Sequence, residues 1–181
     1  DEYWTAPPSK GKFAVSVAGG WVTGKIDLVV RGVPGKPPGE VFCVVMEPHS
    51  EKSFKRVVKS TLKSAHPRHY GQIQIGMQTL GLMRGIYAAV NKSTDELHIE
   101  VIKRDIEYTN VRLGSIENTV RSNFAPPRIS ENPDFFMCRF CDHRATCHER
   151  AMPERRTCRN CIHSTPAKNG AESEFDCDRH E

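Results

Sequence analysis

Residues 12–18, KFAVSVA, put apolar side chains at nearly every second position, the period of a strand with one buried face. Gly19-Gly20 interrupts, and WVTGKIDLVV at 21–30, enriched in β-branched residues, predicts a second strand. RGVPGKPPGE at 31–40 carries three prolines and three glycines and predicts a loop. VFCVVME at 41–47 is an almost unbroken apolar run, the pattern of a strand buried on both faces, and Pro48 is expected to end it.

The period then changes. From Ser50 to Ser64, Val57, Val58 and Leu62 fall on one side of a helix, with Lys52, Lys55, Arg56, Lys59 and Lys63 around the rest. His66-Pro67 is a break, because a residue before proline is disfavoured in the helical region. Residues 68–82 predict a second helix, with Ile73, Met77 and Leu80 at i, i+4 and i+7. A strand at 84–90, a turn at 91–95, a strand at 96–104 and a helix at 107–123 complete the series. This order predicts an α/β chain, an α+β arrangement around one mixed sheet.

At 181 residues, against roughly 150 per domain, the chain has room for one domain and an appendage. Its 38% apolar and 27% charged residues exclude a disordered polymer. No apolar run nears the ~18 residues of a membrane helix, so no membrane is expected. A cytoplasmic setting is the expectation. The chain starts at Asp1 without a signal-peptide pattern, which leaves room for a missing N-terminal piece.

Charge is uneven. Residues 52–94 carry 8 basic side chains and no acidic one, while the net charge of the whole is only +4. A solvated helix face would account for a few lysines. An acid-free stretch of this length also forms a field that attracts polyanions. Lys52, Lys55, Arg56, Lys59, Lys63 and Arg68 are therefore the candidate phosphate contacts, and Tyr70 is a candidate for stacking on a base.

Cysteine is segregated as well. Cys43 stands alone and reads as a small buried hydrophobe. Cys138, Cys141, Cys147, Cys158, Cys161 and Cys177 all fall in the last 44 residues, in which 8 basic and 8 acidic side chains balance. Two CxxC pairs occur there, and without a sign of secretion metal binding is the better reading than disulfides. Zinc takes four tetrahedral nitrogen or sulfur ligands. Cys158, Cys161, Cys177 and His180 make one set, with His163 as a substitute for His180. Cys138, Cys141 and Cys147 supply three ligands of another, completed by His148 or His143. A tail this short and polar has little core, so bound metal is expected to supply its folding energy. The composition shift and Pro126-Pro127 set the expected units at 1–125 and 126–181.

The ordered set of motifs carries a resemblance. GKID at 24–27 precedes the apolar strand at 41–47, then come HSEKSFK at 49–55, PRHYGQIQ at 67–74 and LGLMRGIYAAVNKSTDELH at 80–98. CRFCDHRATCH and CRNCIHSTP follow in the tail. Together they resemble the RecB-like exonucleases of the PD-(D/E)XK superfamily, notably phage and CRISPR-associated members with a cysteine-rich C-terminal tail. The resemblance covers nearly the whole chain. It implies a nuclease-like core with a C-terminal zinc-binding appendage, and metal-assisted phosphodiester hydrolysis on DNA. In that family an Asp and a Glu on neighbouring strands hold magnesium or manganese. A Lys two residues after the Glu steadies the attacking water, and a helical Gln and Tyr frame the site.

Mapped onto this chain, the resemblance gives Asp27 as the first metal ligand and Gln72 as the helix glutamine. The Glu position is Val45, the Lys position is Glu47, and the Tyr position is Gly76. Valine cannot ligate a metal. Glu47 shares the face of Val45 and could hold a cation with Asp27, but it has the wrong sign to replace a lysine. A displaced site over Glu47 and His49 carries less weight, since Pro48 is expected to break the strand between them. The plainer readings are a turn residue for Asp27, a solvated or lysine-paired carboxylate for Glu47 and a surface amide for Gln72. Related nucleases hold an iron–sulfur cluster through a C-x2-C-x5-C run and a remote cysteine. Here the remote cysteine is Cys43, inside the expected core, which favours two zinc ions.

Two functions follow as expectations: a DNA-binding protein of this family whose hydrolysis is weak or lost, and an active exonuclease working from Asp27 and Glu47. A sequence-reading zinc finger ranks last, because the cysteine spacing is not that of tandem ββα fingers. A protein partner or further copies of the chain could complete a site that is incomplete in one copy.

Overall fold

A computed structural model describes residues 13–122, 124–151, 157–158, 161, 163–167 and 174–179. It has a mixed α+β architecture. Strands β1 (Phe13–Val17) and β2 (Val22–Ile26) form an antiparallel hairpin. Its turn runs through Ala18, Gly19 and Gly20, all at positive φ, where the glycines adopt a backbone that a side chain disfavours.

The central sheet has four strands in the order β3 (Leu28–Arg31), β4 (Val41–His49), β5 (Arg84–Asn91) and β6 (Leu97–Lys103). β4 and β5 run parallel, and the two outer pairs are antiparallel, so the sheet is mixed as the element order predicts. The parallel pair needs a crossover. It is supplied by α1 (Glu51–Lys59), α2 (Leu62–Ala65) and α3 (Pro67–Thr79).

Alternation along β4 sorts the core. Cys43 and Val45 face the helices and are fully buried among Phe54, Val57, Ile73, Met77 and Tyr87. Phe42 and Val44 face the other way, packing with Ile86 in a smaller cluster beside Val30 and Val33. Beyond that cluster, Met46, Leu97 and Ile99 stay about half exposed. Burial pushes the Cys43 thiol up to about 12.

Four expectations are corrected. The strand expected over 21–30 is two strands in two different sheets, separated at Asp27. Pro48 does not end β4, which continues to His49. The Met46 N–H points to the β3 side, where Asp27 accepts it, and the nitrogen of residue 48 falls on that side beyond the last β3 pairing. Proline is tolerated where no ladder bond is needed. The helix expected over 50–64 breaks at Ser60-Thr61, because the Leu62 N–H is taken by Glu100 Oε2 on β6 at 2.8 Å and starts a new turn there. The helix expected over 68–82 starts at Pro67 and ends at Thr79.

α4 (Ile106–Arg121) begins where Asp105 Oδ1 accepts the Tyr108 N–H at 3.0 Å, the usual way an aspartate satisfies an orphan donor at a helix start. Fully buried Gln74 ties that start to the sheet, donating to the Lys103 carbonyl and accepting from the Asp105 N–H. After α4 come the short helices α5 (Phe136–Arg139) and α6 (Arg144–Glu149) and a hairpin of β7 (Ser164–Ala167) and β8 (Glu174–Cys177). This last hairpin packs on the first. The Trp21 indole donates to the Ala167 carbonyl at 2.8 Å and meets the Phe175 ring edge-on at 4.6 Å. Among the described residues no helix is long and apolar enough to cross a membrane.

Candidate functional site

Asp27 sits at the bend between β2 and β3. Its backbone N–H donates to the Val44 carbonyl at 3.1 Å, and its Oδ2 accepts the Met46 N–H at 2.8 Å. Both bonds fasten the bend to β4 and bring the carboxylate to within one residue of Glu47. Glu47 is partly exposed and lies on the helix-facing side of β4; burial, with the charges of Glu47 and Glu100 adding to it, pushes the Tyr87 phenol up. Val45, between them in sequence order along that face, is fully buried.

Gln72 donates its side-chain amide to the Lys25 carbonyl at 3.0 Å, strapping α3 to β2. Gly76 lies one turn further on, against Ile26. The structure thus brings Asp27 to the backbone next to Glu47, and Gln72, in mid-α3, to the carbonyl two residues before Asp27. Asp27 and Gln72 both carry bonds there that hold strands and helix in place.

The sequence reading missed a chain of hydrogen bonds at the end of β4. His49 Nδ1 lies 2.9 Å from Ser53 Oγ, and Ser53 Oγ lies 2.9 Å from His66 Nε2. On the other side, His49 Nε2 is 2.7 Å from the Tyr87 hydroxyl, which is 2.6 Å from His69 Nδ1. The His66 and His69 rings stack, with centroids 5.3 Å apart. Each hydroxyl donates one proton and accepts another, so the five groups are satisfied by a single run of donors in either direction. His49 is buried, and His49 and His66 are both held below the ordinary imidazole value. Burial is the larger cause for each; neighbouring imidazoles and Arg56 add to it, and Lys92 adds further for His49. β4 does carry His49 onto the face of Glu47, contrary to the expected break, but both its ring nitrogens are committed within the protein.

The basic candidates divide. Lys52, Arg56 and Lys59 are exposed along α1, and Arg68 is exposed near the start of α3. Lys55 is exposed too, paired with Glu51 one turn back. Lys63 is committed within the protein: its ammonium lies 3.0 Å from Asp105 Oδ2 and 5.3 Å from the centroids of both the Tyr70 and Tyr108 rings. The expectation that Tyr70 stacks on a base is corrected. Tyr70 is only 8% exposed, meets Tyr108 edge-on and donates to Asp105 at 3.3 Å. The aromatic beside the exposed cations is Tyr108, with the Arg112 guanidinium 5.3 Å from its centroid.

In the tail, the Cys141 N–H donates to the Cys138 carbonyl and closes a tight turn, and the Cys161 N–H donates to the Cys158 carbonyl. Cys138 is buried, whereas Cys141, Cys147, Cys158 and Cys161 are exposed. Among the described residues His148 Nε2 is buried and meets no hydrogen-bond partner, the condition of a nitrogen kept for a ligand. The register of the last hairpin pairs Ser164 with Cys177, the Ser164 N–H donates to the Cys161 carbonyl and the Asp178 N–H to the His163 carbonyl, so Cys177 and His163 come near Cys161. His180 lies outside the described residues. Among the described residues no three His, Cys, Asp or Glu side chains converge in a metal-holding arrangement.

No family model matches the chain, and no curated protein is similar to it. The crystal structure of SSO0001 is similar over 72% of this chain and 56% of its own length, at 17% identity and a TM-score of 0.39. The chain thus spans just over half of that protein.

Proposed function

We propose that the chain is a nucleic-acid-binding protein of the RecB-like nuclease type that holds DNA on α1 and hydrolyses it weakly or not at all. The observation that carries the binding half is the row of Lys52, Arg56 and Lys59 along one exposed helix, within a stretch that has no acidic residue. Such a row contacts phosphates without reading bases. What supports loss of hydrolysis is Val45, an apolar and fully buried side chain where the family places a carboxylate. A second reading, hydrolysis with magnesium or manganese, is favoured by the approach of Asp27 to the backbone beside Glu47. Those two carboxylates would hold the ion, which would polarise the phosphate.

The tail reading is two zinc sites that stiffen the appendage and hold it against the first hairpin. Cys138, Cys141, Cys147 and His148 fit one set, and the orphaned His148 nitrogen supports it. Cys158, Cys161 and Cys177 with His163 or His180 fit the other.

End-labelled linear duplex and single-stranded DNA, incubated with magnesium or manganese beside an Asp27→Ala control, tests the proposal. DNA retained but uncut, with affinity falling steeply as salt rises, is the expected result. Cutting that disappears in the control would replace it with the second reading. DNA that is not retained would overturn both.

A further inference from the structure

We infer that the trough between α3, α4 and the first hairpin receives one unpaired nucleotide, its base on the apolar floor and its phosphate on Arg68 and Arg112. The inference rests on the nucleic-acid reading above and names the part of the ligand that a row of lysines cannot specify. The trough encloses about 730 Å³, within the ~300–1,000 Å³ of small-ligand sites and too small for a duplex.

Its chemistry is two-sided. Val15, Val17 and Val22 come from the hairpin, and Ile75 and Ile116 from the facing helices, giving apolar surface on both sides of a flat ring. Among the described residues, the charged side chains that line it are Arg68 and Arg112, and no carboxylate does. Guanidinium groups bind phosphate in a fork geometry, and apolar or aromatic walls accept any base. Tyr108 stands at the trough with the Arg112 guanidinium 5.3 Å from its ring centroid, a contact that holds this cation at the rim.

Two glycines keep the space open. A Cβ at Gly71 would lie 3.3 Å from the Tyr108 hydroxyl, and one at Gly24 would lie 3.2 Å from the Val15 side chain. Larger residues at either position would close the trough from the α3 side or the hairpin side.

Fluorescence anisotropy with a labelled 12-mer of deoxythymidine and a labelled blunt duplex tests this at fixed low salt. Arg112 is exposed, so Arg112→Gln tests the charge without threatening the fold, and Gly71→Val tests the space. Each is expected to weaken single-strand binding about fivefold or more and to leave duplex binding within twofold. Single-strand affinity unchanged in Arg112→Gln, with duplex still bound, overturns the trough and leaves the α1 reading standing. Wild-type protein that binds neither DNA overturns both. A trough that takes an acidic, apolar peptide in an Arg112-dependent way while single strands bind regardless of Arg112 also overturns it.

Discussion

Gly76 on α3 rests directly on Ile26 of β2: a Cβ at position 76 would lie 2.8 Å from Ile26 Cγ1 and closer still to Cδ1. Ile26 is itself fully buried, so it has nowhere to retreat. This helix-to-strand contact admits only a hydrogen. Gly76→Ala is therefore expected to destabilise the protein by about 1–3 kcal/mol, the usual cost of overpacking, despite alanine's better helix propensity. Urea denaturation measures it. An unchanged or raised midpoint would mean that α3 can move away from β2.

Val45 gives a companion prediction. Val45→Glu puts a carboxylate among Phe54, Tyr87 and their neighbours and is expected to cost more than about 3 kcal/mol, the range for burying an unpaired charge. If this variant is as stable as its parent, the position opens onto water. Differential scanning calorimetry of the single variant distinguishes the two cases.

The run from His66 through Ser53, His49 and Tyr87 to His69 makes stability depend on pH. His49 and His66 bind protons less readily when folded than at the ordinary value of 6.5. Between the folded value and 6.5 the unfolded chain holds more protons, so stability rises with pH there. The contribution is whole above pH 6.5 and is lost as pH falls through the lower, folded values. Urea midpoints at pH 8, 7, 6 and 5 are expected to stay level and then drop. His66→Gln is expected to flatten the drop, and an equally steep drop in that variant would assign it to carboxylates instead.

Much of the sheet is legible in the sequence because each strand's pattern is set by what covers its own two faces. β4, buried on both sides, reads as an unbroken apolar run, and the helical face of Ile73 and Met77 reads just as directly. The places where the reading goes astray are those decided by another element. Alternation runs straight through Asp27, and the strand divides there because β4 offers partners for its carboxylate and its amide. The 50–64 helix breaks because Glu100, 38 positions away, takes an N–H. His49, Ser53, His66, His69 and Tyr87 share no local pattern, as they sit on separate elements joined only in three dimensions. Tyr70 reads as available in the sequence because aromatic residues beside cations suit DNA, but it is buried and its hydroxyl donates to Asp105.

The tail offers a direct optical test. Trp21 touches Phe175 and Ala167, so loosening the last hairpin exposes the indole. Stripping metal with a strong chelator is expected to release two zinc ions per chain and to red-shift Trp21 emission, a shift that vanishes in Trp21→Phe. Native protein that carries iron and is brown would replace zinc with a cluster. Native protein that carries no metal would end the metal reading altogether.

Cys43 supplies an internal control for such work. Its buried thiol, pushed up to about 12, is expected to resist alkylation at pH 8 until the core unfolds. Mass spectrometry of the peptide carrying Cys43 reads this without interference from the tail. Rapid labelling in native buffer would show that α3 opens away from β4.

The Trp21–Ala167 bond also orders events in time. It joins residues 146 positions apart, whereas the β1–β2 hairpin closes over a handful. Long-range pairings are slow to form and leave apolar surface waiting in the interval. During synthesis the β1–β2 hairpin leaves the ribosome with its indole uncovered, and the cover arrives only once Ala167 and Phe175 have been made. The β7–β8 hairpin is therefore a late step in finishing the β1–β2 hairpin, and a product that stops short of β7 would carry an uncovered, sticky tryptophan at Trp21.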